Sequence, residues 1–311
     1  MPTNEELISR ALQYENLSAS AIAQTTKLSQ PTVSRTLNKM PVLKLGGGRS
    51  TVFALLDTIE SESLFQVNEA GNISPLGELY RQQEGRTVLV QEKSHHNYDG
   101  LPFYLYDFLP AGFLGTIMLK NIIKHDHALT SKSQDWSDSQ VMHYLTHYGD
   151  ELVGNLILGK RMAYQASELQ YSVMNREDYS GIAEKINKSP ENLGSSVAGE
   201  QPKFTLFNGQ AHLIVKYSPR IREDNPVATR HRDLMVCEFL ALQTLNAHGI
   251  AASESELHID DRFYLEMKRF DRIGLHGRRG MASLKSIDAE YAGKNQDWTV
   301  IAKALLNDKL I

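Results

Sequence analysis

The spacing of hydrophobic positions near the start of the chain predicts two short helices followed by a hairpin. In SASAIAQTTKLSQPTVSRTLNKM (18–40), apolar residues recur at the three- and four-residue intervals of amphipathic helices on either side of KLS. Ser29 can cap the second helix, and Pro31 fits its first turn, where a missing N–H costs nothing. Two alternating apolar stretches around Gly-Gly-Gly-Arg-Ser then predict paired strands over 42–56. The first 56 residues are therefore expected to form a small unit of helices and a hairpin.

The second of these helices is expected to expose polar side chains while Val33 and Leu37 face inward. The exposed positions carry groups that can contact base edges and phosphates in a DNA major groove: Gln30, Thr32, Ser34, Arg35, Asn38 and Lys39. Arg49 lies at the tip of the hairpin. The segment resembles a winged helix-turn-helix domain with this hairpin as its wing, so these residues are predicted to bind DNA. A small helical domain that serves protein contacts is the alternative, because this fold hosts both roles.

A second hairpin and a helix are predicted further along the chain. Asn208-Gly209, the dipeptide most favoured in two-residue hairpin turns, separates FTLF from QAHLIVKYSP, and Lys216 lies near the end of the second strand. Helical periodicity then covers LMVCEFLALQTLNAHGI (234–250), with Glu238 on its first turns. A further strand is predicted in RFYLEMKRFDR.

A loop of small and polar residues, SSVAGEQPKF (195–204), leads into this hairpin. Backbone N–H groups of such a loop can cover phosphate oxygens, a strand lysine can neutralise them, and a helix glutamate can hold that lysine in place. The order of loop, Lys216 and Glu238 therefore indicates nucleotide binding. Each piece alone also has an ordinary interpretation, as a surface turn, a solvated lysine and a surface acid.

Composition narrows the classes of protein that fit. With 311 residues, 41% of them hydrophobic and 23% charged, the chain can bury a proper core. The single cysteine, Cys237, cannot form an internal disulfide, and no charged-then-apolar leader opens the chain, so a cytoplasmic location is expected. No apolar run reaches the ~18 residues that a membrane span needs. Residues 1–56, here called the head, hold six Lys or Arg against three Glu, a net charge of +3 that leaves −7 for the rest of the chain. This distribution indicates that the head alone binds a polyanion.

Several segments together resemble HipA-type serine/threonine protein kinases, the toxins of persistence-linked toxin–antitoxin pairs. In the ATP-binding part these are SSVAGEQPKF, HLIVKYSP, CEFLALQTLNAHGI and MKRFDR. Upstream, LFQVNEAGNISPLGELYR, YDGLPFYLYDFLPAGFLG and GDELVGNLILG are similar to the N-terminal subdomain of that family. The added winged helix points to the YjjJ-like branch.

The resemblance implies a role for each matching residue. Ser196 corresponds to the loop serine that the family autophosphorylates to switch itself off, Lys216 to the phosphate-binding lysine and Glu238 to its helix partner. The nucleotide loop would comprise Ala198, Gly199, Glu200, Gln201, Pro202 and Lys203. The hinge that contacts adenine would comprise Lys268, Arg269 and Phe270. Two departures from the family pattern are Pro202, which removes an N–H from the loop, and Lys268, where the hinge usually has an acid.

The resemblance also sets the expected architecture and partners. The expected fold class is α+β, with a winged helix-turn-helix domain over 1–56, a HipA-like N-terminal subdomain over 57–165 and an incomplete bilobal kinase-like core over 166–311. None of the residues after Arg272 resembles the family's NTDxHxxN catalytic stretch, which is expected to follow Ile311. The chain as given is therefore expected to bind ATP without transferring phosphate, and Mg²⁺ to act only in the complete protein. The implied partners are DNA, a protein substrate and an antitoxin, and a homodimer is compatible with the sequence.

Other functions fit the sequence less well. A DNA-binding regulator whose body only senses or dimerises is the main alternative, since the catalytic aspartates are missing. The stretch DDRFYLEMK has an acid-and-ExK pattern found in metal-dependent nucleases, but the gap between the acids and ExK is too short. Two close histidine pairs, at 95–96 and 125–127, lack the acids or cysteines of a zinc site, so no metal site is predicted. Asp288 and Asn295 resemble the order of a catalytic loop only superficially, and Asp288 is interpreted as a structural residue.

Overall fold

The computed structural model of the chain describes residues 1–188, 201–223, 225–293, 297–307 and 309. Its architecture mixes helices and strands, as the sequence predicts. Within the described ranges the strands form a six-stranded sheet, a four-stranded sheet and a two-stranded sheet. No helix in those ranges is both long and apolar enough to cross a membrane.

The chain begins with three helices and a hairpin, which share one small core. The elements are α1 (Asn4–Leu12), α2 (Ala19–Thr26), α3 (Gln30–Leu37), β1 (Val42–Leu45) and the start of β2 (Val52–Val67). The predicted cap is present, because Ser29 Oγ accepts a hydrogen bond from the N–H of Thr32 at 3.3 Å. The shared core consists of Ile8, Leu12, Ile22, Val33, Leu37 and Leu55. Both helices of the 18–40 segment and the following hairpin are thus found where the hydrophobic pattern predicts them.

Strand β2 continues from the hairpin into the six-stranded sheet. The remaining strands of that sheet are β3 (Ile73–Gln82), β4 (Thr87–Val90), β5 (His95–Tyr98) and β6 (Leu156–Leu158). The strand order is β1-β2-β3-β4-β5, and β6 pairs with the far end of β2. Because β2 runs through residues 56 and 57, the predicted boundary between head and subdomain falls inside one strand.

Three helices cover this sheet: α4 (Gly112–Ile122), α5 (Asp138–Tyr148) and α6 (Lys160–Ser167). The main core of the molecule lies between α4, α5 and the sheet. Its aromatic centre is the pair Trp136 and Tyr144, whose ring centroids lie 5.3 Å apart. Such a pair contributes about 1 kcal/mol beyond the burial of its area.

The next unit is a four-stranded antiparallel sheet between two helices. Its strands, in the order β7-β8-β10-β9, are β7 (Lys203–Phe207), β8 (His212–Tyr217), β9 (Ser255–Ile259) and β10 (Phe263–Lys268). Helix α7 (Tyr179–Lys188) packs on one face, and α8 (Pro226–Ala247) contacts β9 and β10. The predicted hairpin turn is present: Gly209 has a φ of +91°, and Asn208 Oδ1 accepts from the N–H groups of Gln210 and Ala211.

Helix α8 is longer than the sequence periodicity predicts. It begins at Pro226 rather than at Leu234, so Glu238 lies in its middle and not on its first turns. Asn225 caps the helix, since its Oδ1 accepts from the N–H of Ala228 at 2.9 Å. Asparagine followed by proline is a sequence signal for a helix start. The prediction missed it because the polar residues after Pro226 show no hydrophobic periodicity.

The last part of the chain returns to the first sheet. It comprises β11 (Arg272–Ile273), β12 (Gly277–Arg278), α9 (Leu284–Ile287), a π-helical turn over Asp288–Ala292 and α10 (Trp298–Asn307). Asp107, which precedes α4, accepts hydrogen bonds of 2.6 Å from the N–H and hydroxyl of Ser283 and from the hydroxyl of Ser286. These hydrogen bonds therefore hold the start of α9 against the segment that precedes α4.

Candidate functional site

The candidate site centres on an ion pair between a strand and a helix. Lys216 Nζ on β8 lies 2.5 Å from Glu238 Oε1 on α8. The side chains retain 19% and 33% of their exposure, so the pair is accessible from outside but partly desolvated. Lys203 on β7 lies directly opposite Lys216 in the sheet register. The structure therefore brings together three of the residues that the sequence assigns to phosphate binding.

An open strip of sheet lies beside these charges. Thr205, Ile214 and Met267 form a row across β7, β8 and β10, two positions along each strand from the row that contains Lys216. Side chains two residues apart on a strand share a face, so this row lies on the same face as Lys216. Thr205 is exposed, and Ile214 and Met267 are half-buried. A partly exposed strip with two apolar side chains next to Lys216 and Lys203 has the character needed to hold a heterocyclic base beside its phosphates.

Sequence reasoning missed this row of three. The signal that could have identified it is the alternation in HLIVKY, which puts Ile214 on the face of Lys216 once β8 is recognised as a strand. Thr205 and Met267 depend on the pairing register, which the sequence does not specify.

The predicted hinge follows the end of β10. The N–H of Lys268 donates to the carbonyl of Glu254, and the N–H of Arg269 donates to the carbonyl of His212. Both groups are therefore used within the protein. Lys268 also forms an exposed ion pair with Glu254 at 3.4 Å. Lys268, Arg269 and Phe270 line a cavity of about 670 Å³ together with the segment 251–254.

The predicted nucleotide loop is described only at its end. Ser196, Ala198, Gly199 and Glu200 lie outside the described residues. Gln201, Pro202 and Lys203 are half-buried, and Lys203 begins β7. The carbonyl of Pro202 accepts from the N–H of Tyr217 at 3.1 Å, which extends the β7–β8 ladder by one bond towards the loop.

The predicted DNA-contacting residues lie on the outer side of α3 and on the hairpin. Gln30, Ser34, Arg35, Asn38 and Lys39 are exposed, whereas Thr32 is half-buried with its hydroxyl 2.8 Å from that of Ser29. Arg35 Nε donates to the carbonyl of Pro31 at 3.2 Å, so this side chain lies back along the helix. Arg49 is exposed in a 3-10 turn over Gly48–Ser50.

Among the described residues, no three histidine, cysteine or acidic side chains come close enough to hold a metal ion. Asp288 is buried, with 6% of its surface exposed, at the start of the π-helical turn. Asn295 lies outside the described residues.

Comparison with known proteins places these features in a family. Residues 59–167 match the family model of the YjjJ-like toxin middle domain, and residues 195–307 match that of the HipA-like C-terminal domain. The chain is also similar to Toxin YjjJ of Escherichia coli (strain K12), with 29% identity over 94% of this chain and 69% of the relative. The candidate ion pair, Lys216 and Glu238, lies inside the second matched range. These matches agree with the resemblance found in the sequence, since the chain carries a YjjJ-like toxin middle domain followed by a HipA-like C-terminal domain.

Proposed function

We propose that this protein is an ATP-dependent serine/threonine kinase toxin with a DNA-binding head. The observation that carries the kinase proposal is the 2.5 Å ion pair between Lys216 and Glu238 beside the open row of Thr205, Ile214 and Met267. A strand lysine held by a helix carboxylate is the arrangement that protein kinases use to bind the α and β phosphates.

Each residue of the site has a distinct task in this proposal. Lys216 neutralises phosphate oxygens, and Glu238 keeps its ammonium group extended towards them. Lys203, opposite in the sheet, supplies a second positive charge near the γ-phosphate. The hinge residues Lys268 to Phe270 bound the base at the end of β10. The N–H groups of Lys268 and Arg269 are already bonded within the protein. The base is therefore recognised by backbone carbonyls of the hinge and by the row of Thr205, Ile214 and Met267.

Ser196 is proposed as the autophosphorylated residue, and Ala198 to Lys203 as the loop that covers the phosphates. In a kinase of this type, Mg²⁺ would neutralise negative charge on the transferred phosphate. Since the described residues hold no cluster of three acids, we assign no residue of this chain to the ion.

The kinase proposal is tested by nucleotide binding and by phosphate transfer. Lys216→Met keeps the length of the side chain and removes the charge that faces the phosphates. Lys185→Met is the matched control, because Lys185 is exposed on α7, which packs on the opposite face of the same sheet. We expect calorimetric titration with ATP to show at least tenfold weaker binding for Lys216→Met and no change for Lys185→Met. In any form of the protein that transfers phosphate, Lys216→Met should also abolish phosphate on Ser196, detected by mass spectrometry. Equal ATP binding by the two variants would refute the proposal.

The head is proposed to act as a winged helix-turn-helix that binds DNA, with α3 as the recognition helix and Arg49 on the wing. The observation that supports it is the exposed polar face of α3, where Gln30, Ser34 and Arg35 are exposed and Asn38 and Lys39 follow directly after the helix. Arg35→Ala should change sequence preference, whereas Arg49→Ala should weaken binding to all sequences and lower the salt dependence by about one unit of slope. Arg10→Ala, on the exposed side of α1, is the control. Fluorescence anisotropy with DNA at several salt concentrations measures both effects, and equal, salt-independent affinities would make the head a protein-contact module.

The rival function is a DNA-binding regulator whose body only senses or dimerises. It shares the DNA-binding head with the kinase proposal. It predicts that the unmodified chain binds ATP no more tightly than the Lys216→Met variant does. The relative named Toxin YjjJ favours the toxin interpretation and, with it, an antitoxin as partner, alongside a protein substrate. A cytoplasmic location and a homodimer remain parts of the same proposal.

A further inference from the structure

Two buried arginines face each other in the short hairpin that follows the hinge. Arg272 on β11 pairs with Arg278 on β12 in the strand register, and only 5% and 4% of their surfaces are exposed. Like charges directly opposite in a ladder are unfavourable, and burial increases that cost. A neighbouring group must therefore compensate for these charges.

Backbone carbonyls satisfy only part of the two guanidinium groups. Arg272 Nη2 donates to the carbonyls of Glu151 and Leu152 at 3.3 and 2.8 Å, and Arg278 Nη2 donates to that of Asp150 at 2.8 Å. Arg272 Nε and Nη1 and Arg278 Nη1 have no hydrogen-bond partner among the described residues, although all three atoms are buried. Buried guanidinium N–H groups without acceptors are costly, and native structures usually satisfy them.

The carboxylate of Asp271, next to Arg272 in the sequence, is already hydrogen-bonded to other groups. Asp271 accepts two hydrogen bonds from Arg269, at 3.0 and 2.7 Å, and one from the N–H of Gly154 at 3.1 Å. Its Oδ2 lies 3.9 Å from Arg272 Nε, beyond hydrogen-bond distance. Burial, followed by the charges of Arg278 and Arg269, lowers the pKa of Arg272 to about 10. Burial also lowers the pKa of Arg278, and the carboxylates of Glu151 and Asp150 oppose that shift, so the positive charge is compensated in part while the N–H groups named above stay unpaired.

A polar cavity of about 360 Å³ adjoins Arg278. Its lining includes Asn72, Ser167, Tyr171 and His276, all of which carry hydrogen-bonding groups. The ring of Tyr171 lies near those of His212 and His276, with centroids 4.6 and 5.8 Å apart. Guanidinium, hydroxyl and imidazole groups around one cavity match the acceptor oxygens of a phosphate group.

We propose that Arg278, whose Nη1 is buried without a partner among the described residues, and the adjoining cavity bind a phosphate-class oxyanion, either free or carried on a small molecule. The anion accepts from the guanidinium group of Arg278, next to the loop at 150–152. This site is distinct from the nucleotide site, since Arg278 lines a different cavity from Lys268, whereas Arg272 lines the cavity beside the hinge. Binding there would stabilise the junction between the six-stranded sheet and the kinase-like unit.

Calorimetric titration of the full chain with inorganic phosphate, and separately with glycerol 3-phosphate, tests the site at constant ionic strength. Arg278→Gln should weaken binding of whichever ligand binds by at least tenfold. Arg279→Gln, at the next residue, should leave it unchanged, because Arg279 is exposed and pairs with Glu69. His276→Ala removes an exposed ring from the cavity lining, so the protein should still fold and binding should weaken about threefold. This variant therefore tests the site if Arg278→Gln does not fold.

The outcomes distinguish a free anion from a phosphorylated small molecule, and binding at this site from binding at the nucleotide site. Binding of inorganic phosphate supports a free anion, and binding of the ester alone supports a phosphorylated small molecule. Lys216→Met should retain the binding, since it removes only the nucleotide-site lysine. Absence of binding by both ligands, loss of binding in Lys216→Met, or equal affinity in Arg278→Gln and Arg279→Gln would overturn the proposal.

Discussion

Replacing Glu238 by glutamine tests whether this carboxylate acts through Lys216. The substitution keeps the size of the side chain and removes the negative charge 2.5 Å from Lys216 Nζ. Because both side chains keep a fifth to a third of their exposure, the ion pair should contribute no more than about 1 kcal/mol to the free energy of unfolding. Its effect on ATP should be larger, since an ammonium group that is no longer held extended must be ordered when the phosphates bind. We expect about tenfold weaker ATP binding, which corresponds to about 1.4 kcal/mol.

Calorimetric titration with ATP measures this effect, and urea unfolding measures the stability change. Glu69→Gln is the matched control, because Glu69 forms an exposed ion pair with Arg279 away from the sheet face. The double variant Lys216→Met/Glu238→Gln should bind ATP no more weakly than Lys216→Met alone, since Glu238 acts only through the lysine. Additive losses in the double variant, or unchanged affinity in Glu238→Gln, would refute this role.

Three further predictions concern stability. Asp107→Asn should lower the free energy of urea unfolding by about 2 kcal/mol, because the carboxylate accepts two hydrogen bonds from Ser283 and one from Ser286, whereas an amide has one acceptor oxygen. Asn225→Ala should lower it by about 1 kcal/mol through loss of the α8 cap, and Asn225→Ser should restore most of that loss. The hydrogen bond from His143 lowers the pKa of Asp126 from 3.8 to about 2, so its stabilisation is complete above about pH 4 and is lost as pH falls through about 2. Asp126→Asn should flatten the decline of the thermal midpoint between pH 4 and 2, and an unchanged decline would contradict the assignment.

Local patterns predicted the elements whose geometry depends on adjacent residues. The helix α3 follows from Ser29, Pro31 and the spacing of Val33 and Leu37, all of which act within one or two turns. The turn at Asn208-Gly209 is equally local. The pairing of Lys216 with Glu238 was inferred from the order of the predicted elements together with a family resemblance, because side chains 22 residues apart are joined only by the packing of α8 on the sheet.

Features that lack a hydrophobic period or that depend on distant contacts were not predicted. The start of α8 at Pro226 was missed because its first turns, VATRHRD, are polar and largely exposed, so they carry no hydrophobic period. The Asp107 contact joins residues 176 and more positions apart, and Arg272 and Arg278 depend on carbonyls more than 100 residues away. No sequence pattern specifies such pairs, because the acceptor is created by the fold.

The contacts of the head bear on how DNA binding would act on the rest of the protein. Strand β2 pairs with β1 through residues 52–55 and with β3 from Leu56 onward, so the β1–β2 hairpin and the rest of the large sheet share one backbone. Arg86 Nη2 adds a second link, donating to the carbonyls of Leu12 and Gln13 at 3.2 and 2.9 Å, where the end of α1 leaves carbonyls without helical partners. Turning the head relative to the sheet would break both the ladder and these bonds. On the proposed function, DNA therefore holds the kinase-like unit in a defined orientation through the sheet and the Asp107 contact, instead of tethering it by a flexible linker.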